Sequence, residues 1–117
     1  MKSGADPEKS KNRTSLTKIQ KEVDDWVKKY TVGYFKPLEI LARLVEEVGE
    51  LARELNHRFG PKRKKATEAK AHLGEEMADI IFTLACLANS LNIDLDKSFK
   101  KVMRKYNSRD KDRYKKK

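Results

Sequence analysis

One cysteine, Cys86, stands in the chain with no second to pair it. A disulfide scaffold is therefore excluded, and its place inside an apolar run makes it a core thiol. No apolar run reaches the length of a membrane span. The opening MKSGADPEKSKNRTS lacks the apolar stretch of a secretory leader. No segment alternates apolar and polar residues as a half-buried strand does, and none repeats. No histidine stands near the acidic residues at ligand spacing, which argues against zinc and against a Glu-x-x-His di-iron bundle. These absences point to a helical domain of the reducing cytoplasm. At 117 residues one domain is expected.

What the chain has is charge. Charged residues make up 39% and hydrophobic ones 38%, so apolar material for a core is scarce. The net charge is +10, and Lys97 to Lys117 holds eleven Lys/Arg against two Asp. Such a basic end attracts polyanions, nucleic acid among them, and is equally consistent with a solvated terminus.

Helical periodicity divides the rest. Residues 1–13 are polar and aperiodic, a flexible arm. After Thr14 or Ser15, a candidate N-cap, Leu16, Ile19, Val23, Trp26, Val27 and Tyr30 follow helical spacing. Gly33 and Pro37 punctuate, and Pro37 opens a second helix running to Phe59. Its apolar face is read as Leu41, Leu44, Val45, Val48, Leu51, Ala52, Leu55 and Phe59. Gly60 and Pro61 end it and a basic loop follows. A third helix covers about Ala71 to Leu91 and is apolar nearly all round, so it is central or lies at a subunit contact. Asn92 closes it. Asp94 caps a fourth helix reaching about Asn107. The domain therefore spans 14–109, with a basic flexible tail over 110–117. The architecture expected is all-α, four helices, with a homo-oligomer plausible for so small a chain.

The third helix carries a costly feature. Glu76 and Asp79 head the apolar run EEMADIIFTLACLA, and with Thr83 they form a narrow polar stripe. Uncompensated buried carboxylates cost several kcal/mol each. Solvent, a cationic side chain or a metal would remedy this. The second helix offers a matching pair, Glu47 at the rim of the apolar face and Glu50 one turn on, with Glu46 pointing away. Gly49 between them suggests close approach of a backbone or ligand, because a helical glycine costs about 1 kcal/mol against alanine. If the two pairs meet, Mg²⁺ or Mn²⁺ would answer the repulsion, since both take oxygen ligands.

Glu46-Glu47-x-x-Glu50, twenty-five residues, then Glu76-x-x-Asp79 resembles the E-E-x-x-E…E-x-x-D motif of MazG-like nucleoside triphosphate pyrophosphohydrolases. The flanks RLVEEVGELARELNHRFG and GEEMADIIFTLACLANSLNIDL are similar too, and the likeness extends from about Leu16 to Tyr114. Within that family the chain resembles the short single-domain YpjD type. The resemblance implies a four-helix MazG-like bundle completed by homo-oligomerisation, as dimer or tetramer. It implies Mg²⁺-dependent hydrolysis of (d)NTP to (d)NMP and pyrophosphate, with Mn²⁺ as a substitute, in sanitation or regulation of the nucleotide pool. It also implies Glu47, Glu50, Glu76 and Asp79 as metal ligands. Glu47 or Glu50 would take the proton from the attacking water. Lys101, Lys105 and Arg109, four residues apart on one face, would hold phosphate. Trp26, Tyr34, Phe35 and His57 are candidates for the base, although Trp26 lies on an apolar helix face that reads as core. Lys36 is a further cation within reach of a phosphate. The alternative reading is a basic helical nucleic-acid-binding module without catalysis.

Overall fold

The computed structural model describes residues 15–61 and 73–117. The arm at 1–13, Thr14 and most of the basic loop after Pro61 lie outside the described residues. Four helices make up the described part, which contains no strand: α1 (Leu16–Val27), α2 (Pro37–Phe59), α3 (Leu73–Ser90) and α4 (Leu95–Arg109).

Their ends follow local chemistry. The Ser15 hydroxyl accepts from the Lys18 amide at 3.2 Å, and the Asp94 carboxylate accepts from the Lys97 amide at 3.1 Å. Each satisfies a backbone donor left over at a helix start. Pro37 opens α2, where its missing N–H costs nothing. Helix α1 stops three residues short of Tyr30, and the chain tightens into turns, with Lys29 N on Trp26 O and Tyr30 N on Val27 O. Gly33 then takes φ +63°, which L side chains rarely adopt. Asn92 at φ 56° reverses the chain after α3, in the left-handed role that asparagine tolerates. Helix α4 leaves at 108° to α3.

Helix α3 is the central element. Helix α2 packs along it, α1 packs against it, and α4 leans on α1. The core is small: Val23, Val27 and Ala85 are buried, with Ile19, Tyr34 and Cys86 packed round them. Cys86 is half-buried, and burial pushes its thiol above the ordinary value.

Two expectations about α2 need correction. Most of its apolar stripe does not face the core: of that stripe Leu44 and Leu51 alone lose exposure. Val45 is 63% exposed and Phe59 71%, with Leu41, Val48 and Leu55 exposed beside them. The side losing exposure is Ile40, Leu44, Glu47 and Leu51, so Glu47 is buried rather than placed at the rim. The reason lies in α3, whose facing stripe of Glu76, Asp79 and Thr83 is polar and calls for a mixed partner. Gly49, read as a sign of close approach, has nothing within 4 Å of where a Cβ would stand.

A polar clamp ties α1 to α3 and to the start of α4. The Gln20 amide donates to Asn89 Oδ1 at 3.0 Å and to Ile93 O at 2.8 Å, while Gln20 Oε1 accepts from the Leu95 amide. Asn89 donates to Gln20 O and to the Tyr34 hydroxyl, both at 2.9 Å. The Tyr34 hydroxyl donates in turn to Asp24 at 2.6 Å. Burial, followed by the Asp24 carboxylate, pushes the Tyr34 phenol up to about 12. A folded-state value above the unfolded one means that this contribution to stability is complete below about pH 10 and is lost as pH rises through about 12. An ultraviolet titration of the four tyrosines should show one ionising last, and Tyr34→Phe should remove that step. The same substitution should cost about 1–3 kcal/mol in thermal unfolding, because it leaves part-buried partners unmatched.

Candidate active site

The carboxylates of α2 and α3 meet. Glu47, Glu50 and Glu76 each bring a carboxylate oxygen within 4.8 Å of the other two. Register makes this happen: residues three apart share a helix face, and α2 and α3 lie side by side. Glu47 is buried, Glu76 half-buried and Glu50 exposed. Asp79, the fourth expected ligand, stands outside this trio, exposed on the wall of an adjoining cavity. Glu46 is exposed and does not join the cluster.

Oxygens are left over. Glu47 Oε2 and Glu76 Oε2 are both buried without a hydrogen-bond partner. An orphaned buried carboxylate oxygen is costly. Two of them facing a third carboxylate form a donor set suited to a hard divalent cation. Burial, then Glu50, Asp79 and Glu47, push the Glu76 carboxyl above the ordinary glutamate value. Among the described residues of the trio, Glu47 has a cationic partner: Arg43 Nε lies 2.7 Å from its Oε1, and this carboxylate holds the guanidinium above its usual value.

A cavity of about 500 Å³ opens beside the trio, and Glu47 belongs to both. Trp26, Tyr30, Tyr34, Phe35 and Phe82 supply aromatic walls. Arg43, Asp79, Thr83 and Cys86 add the polar and thiol groups. The Thr83 hydroxyl donates to Asp79 O at 2.9 Å, so it faces any occupant as an acceptor. Trp26, read as core from its helix face, is instead 49% exposed. Its ring meets Tyr30 edge-on at 5.2 Å and Phe82 at 5.7 Å. The aromatic face is thus placed in the cavity by the early end of α1 and the Gly33 turn.

Other expected residues lie elsewhere. His57 does not line this cavity, and its Nδ1 is buried without a partner. Lys101, Lys105 and Arg109 are exposed on α4, away from the α2–α3 seam. Arg109 pairs with Asp110 through two contacts of 3.1 Å, and its guanidinium lies 4.9 Å from the centre of the Tyr106 ring. The Lys105 ammonium lies 5.8 Å from the same centre. Within one chain, these cations are therefore not brought to the carboxylates. Lys36 is exposed ahead of α2, where its amide donates to Glu39. Sequence reading missed Arg43, Tyr30 and Phe82. Arg43 had a visible signal, its four-residue spacing from Glu47; the other two had none beyond being aromatic on an apolar face.

Among the described residues, three glutamates from two adjacent helices converge beside an aromatic cavity, a donor set that could hold a divalent cation next to an aromatic ligand. The family is plain: residues 35–114 match the MazG nucleotide pyrophosphohydrolase domain, and the chain belongs to that family. Among relatives, it is 53% identical over 100 residues to the uncharacterised protein YpjD of Bacillus subtilis, covering 86% of this chain and 90% of that one. The crystal structure of Bacillus subtilis YpjD, described there as a candidate pyrophosphatase, superposes with a TM-score of 0.75 at 50% identity, over 82% of this chain and 98% of that one. The Bacillus-conserved MazG protein, described as a nucleotide pyrophosphohydrolase, gives a TM-score of 0.73 at 46% identity, over 86% and 98%.

Proposed function

We propose that the protein hydrolyses nucleoside triphosphates, ribo or deoxy, to the monophosphate and pyrophosphate in a Mg²⁺-dependent reaction, with Mn²⁺ able to substitute. The observation that carries this reading is the trio Glu47, Glu50 and Glu76, with two orphaned buried oxygens, beside an aromatic cavity of about 500 Å³ that Glu47 also lines. Those three residues would hold the cation, with Asp79 at hand one turn along α3. Bound there, a divalent cation supplies charge neutralisation for the triphosphate and polarisation of its α-phosphorus.

The chain's own groups do the rest. Trp26, Tyr30 and Phe35 offer ring faces to the base, and stacking is tolerant of base identity. Burial of Glu47 keeps its carboxylate fixed, while Glu50, exposed to solvent, has the access that a proton acceptor needs. Water adds at the α-phosphorus, the α–β bridging bond breaks, and pyrophosphate leaves. A panel of standard and modified NTPs and dNTPs, with and without Mg²⁺, tests this directly. Metal-dependent monophosphate and pyrophosphate are the expected products, and diphosphate with orthophosphate would overturn the reading.

We also propose a homo-oligomer, dimer or tetramer, acting in the cytoplasm on the nucleotide pool. Support comes from the apolar side chains left facing outward: Leu41, Val45 and Val48 on α2, Ile81 and Leu84 on α3, Phe99 and Val102 on α4. Patches of that kind mark contact surfaces. No single helix among the described residues is long and apolar enough to cross a membrane. Val45→Asp should lower the mass seen in light scattering toward that of one chain, with helical content kept. An unchanged mass would remove the α2 face from the contact.

A further inference from the structure

We infer that Arg43 is a substrate-contacting residue of this site, gripping the nucleotide's phosphates with its two Nη groups while its Nε stays on Glu47. The inference rests on the hydrolase reading above and adds a residue to it. A triphosphate needs cationic side chains as well as metal, and the cations on α4 are directed elsewhere within the chain. Among the residues lining the cavity, Arg43 is the one cation. Its Nε lies 2.7 Å from Glu47 Oε1, which fixes the plane of the guanidinium. A guanidinium has five N–H donors in a rigid fork, and this contact uses one. The four on Nη1 and Nη2 suit a phosphate, which arginine holds through paired hydrogen bonds.

The same ion pair explains how one carboxylate serves two partners. Glu47 Oε1 is given to Arg43, and Glu47 Oε2 is the buried oxygen without a partner. A cation can therefore be taken on Oε2 with the arginine still in place. The side chain of Arg43 is 67% exposed against 6% for Glu47. The carboxylate is anchored, while the guanidinium side chain that lines the cavity stays largely open to solvent.

The test uses Arg43→Met and Arg43→Lys in the full chain, with an α,β-methylene deoxynucleoside triphosphate as a probe that cannot be cleaved. In EDTA, Arg43→Met should bind the probe at least about tenfold more weakly than the wild type, while Arg43→Lys, which keeps charge without the fork, should fall between. In Mg²⁺, Arg43→Met should raise KM for a cleavable triphosphate by a similar factor. Mn²⁺ titrated without nucleotide should bind Arg43→Met as well as the wild type or better, since a neighbouring positive charge is gone. Equal probe binding by wild type and Arg43→Met would overturn the inference. So would a parallel loss of Mn²⁺ binding, which would reduce Arg43 to holding Glu47 in place. A wild type that cleaves no triphosphate would instead sink the hydrolase reading, whereas a cleaving wild type with a normal Arg43→Met sinks only the role of Arg43.

Discussion

Glu50→Gln is expected to abolish metal-dependent turnover, with a loss on the order of 10³-fold, while far-ultraviolet circular dichroism stays that of the wild type. The size follows from electrostatics. A divalent cation contributes several kcal/mol of charge stabilisation in phosphoryl chemistry, and about 4 kcal/mol is a thousandfold in rate. The fold should be spared because Glu50 is exposed and contributes nothing to the core of Val23, Val27 and Ala85. A second readout carries the opposite sign. Without metal, Glu47, Glu50 and Glu76 repel one another, with their oxygens within 4.8 Å. Glu50→Gln removes one charge, so the metal-free variant should melt above the metal-free wild type. Adding Mg²⁺ at a hundred times its Kd should stabilise the wild type by about 2.7 kcal/mol and raise its Tm by roughly 10 °C. The variant should gain little. Near-normal turnover, or an undiminished Mg²⁺ effect on Tm, would remove Glu50 from the metal site.

Trp26→Ala should weaken nucleotide binding by about 10- to 100-fold at modest cost in stability. Stacking of a base on an aromatic side chain is worth about 1–3 kcal/mol. A core tryptophan replaced by alanine costs about 3–5 kcal/mol, but Trp26 is 49% exposed and should cost clearly less. The two readouts separate a cavity role from a core role: KM with little change in Tm indicates the first, Tm with little change in KM the second. Trp26 is also the only tryptophan, so fluorescence of the wild type reports this one wall of the cavity. Titration with a nucleoside triphosphate in the absence of turnover should quench it, and a flat titration would place the base elsewhere.

The helices and the acidic pairs were legible in the sequence because both depend on local chemistry. Caps at Ser15 and Asp94, the proline at 37 and the stops at Gly60 and Asn92 act on neighbours a few residues away. The spacing of Glu47 to Glu50 and of Glu76 to Asp79 sets each pair on one helical face, whatever the fold. The likeness to MazG-like sequences rested on those same residues, and membership of that family follows from residues 35–114.

Which face of α2 turns inward was not legible. Periodicity finds the most apolar stripe, and most of that stripe lies outward here, with Val45 and Phe59 exposed and Glu47 buried. An apolar side can meet another chain as readily as its own core, and a single sequence does not separate the two. The same limit affected Trp26, whose helix position says apolar but whose exposure depends on where α1 ends and the Gly33 turn begins.

The sequence by itself determined the four helices, their caps and the acidic pairs, since each arises within one or two helical turns. Only the tertiary structure decided that Glu47, Glu50 and Glu76 converge, that Arg43 joins them, and that Lys101, Lys105 and Arg109 do not. Convergence depends on how α2 and α3 are rotated against each other. That rotation is a balance of burial over the whole seam, and no stretch of one helix contains it.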